Sequence, residues 1–135
     1  MRQHGIKQQI HFCYGHRLRD YEGKCKHPHG HNALAELTFD SDKLDHRGMV
    51  IDFGDIKQAL KTWIDQKLDH QMLLRKDDPL LNILKEMNEP CFVMEENPTA
   101  ENIAKVIFER AKAENLPIVE VTLWETPSQC ASYRR

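Results

Sequence analysis

Two histidines separated by one residue, His29-Gly30-His31, are the strongest chemical feature of the chain. On an extended strand, residues i and i+2 point the same way, with Cα atoms roughly 6.5–7 Å apart. Two imidazoles at that spacing can converge on one metal ion through bonds of about 2.0–2.1 Å. A third ligand is required. His16 is the best placed, because it ends a strand in phase with Ile10, Phe12 and Tyr14, and an adjacent strand would present it beside the pair. Three histidines without a fourth protein ligand describe an open, catalytic zinc site. Taken alone, His-x-His is equally a pair of polar residues at a sheet end.

Cys25 precedes His29 by four residues, so a turn can bring its thiol to the edge of such a site, where it can ligate metal or act as a base. Lys24 and Lys26 flank it, and nearby positive charge favours the thiolate. Asp69-His70 closes a helix whose C-terminus stabilises imidazolium while the carboxylate orients the ring. That outlines an acid–base pair, although Asp-His dipeptides are commonly inert. Glu125 is the one charge on a strand face otherwise formed by Val119, Val121 and Leu123. If buried it must meet donors, and a planar heterocycle with two N–H groups, such as a pterin or guanine edge, would satisfy it bidentately. A strand-end glutamate reaching solvent is the alternative. Arg17, Arg19, Lys24 and Lys26 gather nearby and either meet phosphates or solvate a loop. Cys13, Cys91 and Cys130 read as packing residues, and no CxxC pair is present.

The elements that position these groups follow from periodicity. Alternation predicts a strand over residues 6–15 and a second over 29–39, whose odd positions His29, His31, Ala33, Ala35, Leu37 and Phe39 share a face. Ile56, Ala59, Leu60, Trp63, Ile64 and Leu68 form a helical stripe over 55–68. Residues 80–87 read as a weaker helical turn and 91–94 as a short extended piece. A second main helix starts at Pro98-Thr99-Ala100-Glu101, with Thr99 as N-cap and Glu101 complementing the dipole. Strands over 119–125 and 130–134 complete a β-β-α-α-β-β order. The expected class is α+β, an antiparallel four-stranded sheet with two main helices on one face.

The 135 residues fit one domain, 1–135, and 30% charged against 40% hydrophobic residues excludes collagen-like and disordered classes. A net charge of −2 makes nucleic acid or an anionic membrane a poor partner. No apolar run approaches 18 residues, and MRQHGIKQQI lacks the apolar core of a signal peptide, so the expectation is a cytoplasmic protein with reduced thiols.

Taken together, the motifs resemble the 6-pyruvoyltetrahydropterin synthase and 6-carboxytetrahydropterin synthase family. The matching pieces are Phe12-Cys13-Tyr14-Gly15-His16-Arg17-Leu18, Gly23-Lys24-Cys25, His29-Gly30-His31-Asn32 and Gly48-Met49-Val50-Ile51-Asp52-Phe53. They continue with Leu68-Asp69-His70, Pro98-Thr99-Ala100-Glu101-Asn102 and Trp124-Glu125-Thr126, in the family's order. The resemblance implies a T-fold whose subunits assemble into a barrel trimer and often a hexamer, with sites at subunit interfaces. It implies zinc on His16, His29 and His31, Cys25 as base, Asp69 and His70 as its assisting dyad, and Glu125 as the pterin anchor. Thr99 and Glu101 would help hold the pterin across an interface.

Two departures from the family pattern stand out. The usual Phe-x-Ala-Ala-His reads Phe-Cys-Tyr-Gly-His, and the stretch 71–97 is longer than in compact members. The implied activity is a zinc-dependent carbon–oxygen lyase acting on 7,8-dihydroneopterin triphosphate. The carboxypterin branch, which releases acetaldehyde and triphosphate on the way to queuosine, is favoured by the compact chain; the pyruvoyl branch toward tetrahydrobiopterin is the alternative. A non-catalytic zinc- or pterin-binding protein of the same fold is a reading of another class. It would lack Cys25, His70 or Glu125, and all three are present. A closed structural metal site, with Cys25 as fourth ligand, is a third.

Overall fold

The structure is a computed structural model that describes residues 2–135. Strand β1, His4–His16, pairs antiparallel with β2, His29–Ser41, in a register that sets Ile10 opposite Ala35, Tyr14 opposite His31 and His16 opposite His29. The alternation seen in the sequence is therefore the pleat: Ile10, Phe12 and Tyr14 of β1 and Ala33, Ala35, Leu37 and Phe39 of β2 are all buried. Strand β5, Ile118–Thr126, adds antiparallel to β2, and β6, Gln129–Arg134, adds antiparallel to β5.

The first long helix, α1, joins α-helical turns Phe53–Ile56 and Thr62–Lys67 through a π-helical stretch Lys57–Lys61. Ile56, Leu60, Ile64 and Leu68 recur every four residues and are wholly buried. An α-helix of 3.6 residues per turn would rotate such a stripe off the core, and the wider i→i+5 turn keeps it facing inward. Asp52 caps this helix through Gly54 N–H, at 2.8 Å. The helix α3, Ala100–Ala113, packs on β5 and β6 and buries Ile103, Ala104, Ile107, Phe108 and Ala111. One hydrophobic cluster contains these residues together with those of α1 and the sheet.

The expected four antiparallel strands are present as β1-β2-β5-β6, but the sheet has six strands and is mixed. The extra strands are β3, Gln71–Arg75, parallel to β1, and β4, Cys91–Met94, parallel to β3, giving the order β4-β3-β1-β2-β5-β6. Between them runs a third helix, α2, Leu80–Glu86, as the crossover that parallel strands require. Met72, Leu73 and Leu74 form a short apolar run without a period, which in the sequence alone does not separate strand from helix. Residues 71–97 thus extend the sheet at the edge beside the histidines.

Candidate active site

The register of β1 and β2 brings the three expected histidines together on the core side of the sheet. His16 Nε2 lies 3.0 Å from His29 Nε2 and 3.2 Å from His31 Nε2. Nitrogens bound at about 2.0–2.1 Å to one tetrahedral ion must approach one another to about this distance, so the donor set fits a metal ion. The other ring nitrogens of two of them are fixed. His16 Nδ1–H donates to the carbonyl of Pro98 at 2.6 Å and His29 Nδ1–H to that of His27 at 2.7 Å. A carbonyl only accepts, so each Nδ1 carries the proton and each Nε2 offers its lone pair inward.

Burial, above all, lowers the pKa of His16, which is 3% exposed, and the positive potential of its two neighbours adds to that. Gly30 allows the close approach of the two strands: a Cβ there would stand 3.0 Å from the Tyr14 carbonyl oxygen.

Glu125, on β5, faces the same centre. Its Oε2 lies 3.9 Å from His31 Nε2, and its Oε1 accepts a hydrogen bond of 3.0 Å from the Tyr14 hydroxyl. Burial first, and the charge of Glu125 second, push the Tyr14 phenol far above its ordinary range, so it stays a donor. The larger residue in the Phe-Cys-Tyr-Gly-His motif therefore supplies the carboxylate with a partner inside the chain. Periodicity put Tyr14 on the inner face but could not show its reach across two strands.

Asp69 and His70 close α1 as expected. Asp69 Oδ2 accepts from His70 Nδ1–H at 2.8 Å, and Asp69 Oδ1 accepts the Cys13 N–H at 2.9 Å. Desolvation raises the Asp69 pKa, yet the bonds from Cys13 and His70 outweigh it and hold the carboxyl below its usual value. His70 has a left-handed backbone, φ 59°, an uncommon conformation for a residue with a side chain. His70, Cys13, Met72 and Leu84 line one cleft of about 750 Å³ with His29 and His31.

The remaining residues are placed differently. Cys25 is half-buried in a single 3₁₀ turn, Lys24–Lys26, where its carbonyl accepts the Leu18 N–H at 2.9 Å. Among the described residues no hydrogen bond joins its thiol to His70 or to the three histidines. Thr99 caps α3 by accepting the Asn102 N–H at 3.2 Å, and Glu101 is exposed in the first turn. Arg17 forms a bidentate ion pair with the buried Asp78, so it anchors the start of α2. The segment before α3 is clamped as well: Asn97 exchanges two hydrogen bonds with the backbone of Arg19, at 2.9 and 2.8 Å. Asp78, Asn97, Pro98 and Cys13 are the contributors that sequence reasoning missed. Pro98 acts through its carbonyl, which every residue possesses, so its type carries no signal.

A sheet carrying three convergent histidines on a β-hairpin, with an Asp-His pair at a helix end, defines the class of tetrahydropterin-synthase folds. The family described as 6-pyruvoyl tetrahydropterin synthase matches residues 5–135, and the chain belongs to it. It is 38% identical over 128 residues to a 6-carboxy-5,6,7,8-tetrahydropterin synthase of Rickettsia conorii, covering 90% of this chain and 93% of that one. It is 31% identical to the enzyme of the same name from Haemophilus influenzae, over 96% of this chain and 97% of that one. Among solved structures, an uncharacterised protein of Wolinella succinogenes superposes with a TM-score of 0.82 at 26% identity, over 98% of both chains. The Caenorhabditis elegans 6-pyruvoyl tetrahydropterin synthase gives 0.73 at 23% identity, over 97% of this chain and 94% of that one, a likeness of fold. No described helix is long and apolar enough to cross a membrane.

Proposed function

We propose that the chain is a zinc-dependent 6-carboxy-5,6,7,8-tetrahydropterin synthase, converting 7,8-dihydroneopterin triphosphate to 6-carboxytetrahydropterin, acetaldehyde and triphosphate. The observation that carries this reading is the convergence of the His16, His29 and His31 Nε2 atoms beside Glu125. The names of the relatives in Rickettsia and Haemophilus support the carboxypterin product over the pyruvoyl one. Four unpaired cysteines agree with a reducing, cytoplasmic compartment.

His16, His29 and His31 would hold zinc, which supplies Lewis-acid polarisation of the substrate's side-chain hydroxyls. The remaining work falls to the chain. Glu125 orients the substrate at the metal end, with Tyr14 fixing one of its oxygens. Asp69 holds His70 Nδ1–H and leaves Nε2 as the atom that takes or gives a proton in the cleft. Cys25 acts as the base, and Thr99 and Glu101 contact the pterin across an interface. Because no hydrogen bond among the described residues joins Cys25 to the dyad of its own chain, a site shared between copies in a trimer or hexamer accommodates both assignments.

The test is mass analysis of products after the zinc-loaded protein meets 7,8-dihydroneopterin triphosphate. Carboxytetrahydropterin with acetaldehyde is expected. A three-carbon pyruvoyl product would move the chain to the other branch, and a folded, zinc-loaded protein without turnover would contradict the reading.

A further inference from the structure

The geometry points to Cys13 as the positioning residue of the Asp69–His70 pair. Among the described residues, every hydrogen bond between that pair and β1 passes through this one residue. Its N–H donates to Asp69 Oδ1 at 2.9 Å, which sets the carboxylate plane. Its carbonyl accepts the His70 N–H at 2.7 Å, which holds the left-handed backbone there. Its Sγ lies 3.5 Å from His70 Nδ1 and 3.5 Å from Nε2. Equal distances to both nitrogens place the sulfur over the face of the ring, since an in-plane sulfur would collide with the carbon between them. The contact is therefore sulfur on an aromatic face, and it leaves both nitrogens free for other partners.

That arrangement answers a specific need. The His70 side chain is 78% exposed, and apart from Cys13 its one side-chain partner is the Asp69 carboxylate. A single hydrogen bond lets an exposed ring rock about its χ2 axis, and the sulfur limits that motion by packing on one side. Nδ1 then stays on Asp69, and the ring lines the same cleft as Cys13 with Nε2 free of a side-chain hydrogen bond to the carboxylate. Cysteine suits the position because it is small, polarisable and compatible with a strand. A side chain on the solvent face of β1 thereby controls the orientation of an acid–base group that belongs to another element.

The inference rests on the proposed reaction only for its kinetic arm. In Cys13→Ala both backbone bonds remain and the sulfur contact is lost. We expect kcat to fall by about 2- to 10-fold, the range such a contact is worth, with KM changed by less than about twofold. Nitrogen-15 NMR of the His70 ring in zinc-loaded protein, without substrate, should pass from a fixed Nδ1–H form to an exchanging mixture. Cys13→Val, which refills the space without a thiol proton, should restore both the spectrum and kcat. An unchanged His70 spectrum in Cys13→Ala would overturn the positioning role. So would a Val variant no better than Ala, which would make the thiol proton the essential feature. Because the spectrum needs no substrate, failure of the proposed reaction leaves that arm intact.

Discussion

At the residue scale, the histidine cluster owes its chemistry to what surrounds it. Two carbonyls select the tautomers of His16 and His29, and burial keeps His16 neutral below the usual imidazole range. The sign of the stability effect follows. Between the lowered folded pKa and the unfolded value of about 6.5, the unfolded chain binds a proton that folded His16 refuses, so stability rises with pH there. The metal-free protein should accordingly lose urea resistance as pH drops from 7.5 to 5, and His16→Gln should flatten that dependence. Equal slopes in the two proteins would refute the assignment. Tyr14→Phe removes the donor to Glu125 and should cost about 1–3 kcal/mol in urea unfolding, with metal content retained. The convergence of His16, His29 and His31 was legible, because i and i+2 on a strand is a chemical spacing. The roles of Tyr14 and Cys13 were not, since each depends on which residue stands two strands or one helix end away.

At the element scale, the hairpin of β1 and β2 sets the site and its neighbours brace it. Gly30→Ala would place a Cβ against the Tyr14 carbonyl, which cannot yield without parting the strands that carry the three histidines. Its metal affinity, measured by competition with a chelator, should drop about tenfold or more, and wild-type affinity would show the approach to be unimportant. The Arg17–Asp78 pair ties the end of β1 to the start of α2. Asp78 is wholly buried whereas Arg17 reaches solvent, so Arg17→Ala should cost more, about 3–5 kcal/mol, than Asp78→Ala. The bonds from Arg17 and Leu80 outweigh burial and lower the Asp78 pKa, so this stabilisation is present above pH of about 4 and disappears as pH falls further. Long amphipathic elements were readable from sequence, including the Thr99 cap. The extended piece at 91–94 was readable too and is β4, but β3 and the parallel pairing of both strands were not, because five residues of apolar run hold no period and the pairing is decided by a distant partner.

At the scale of the whole molecule, the sheet and one continuous core explain why the site survives at the edge of a small chain. The composition made broad classes of partner poor guesses, and the family resemblance supplied the T-fold, but neither revealed that residues 71–97 widen the sheet beside the three histidines. A shared site has its own consequence. Cys25→Ala and His70→Ala copies, each inactive alone, should regain activity when mixed and refolded together. Mixtures as inactive as the parents would place the thiol and the dyad in one chain.

On the proposed reading, the three histidines form an open metal centre whose nearby thiols stay free for other work. X-ray absorption at the zinc edge of the zinc-loaded protein addresses it directly. Three imidazole nitrogens and one oxygen near 2.0–2.1 Å, without sulfur, are expected. A sulfur at about 2.3 Å would contradict it, making the centre a closed structural site with a cysteine as its fourth ligand.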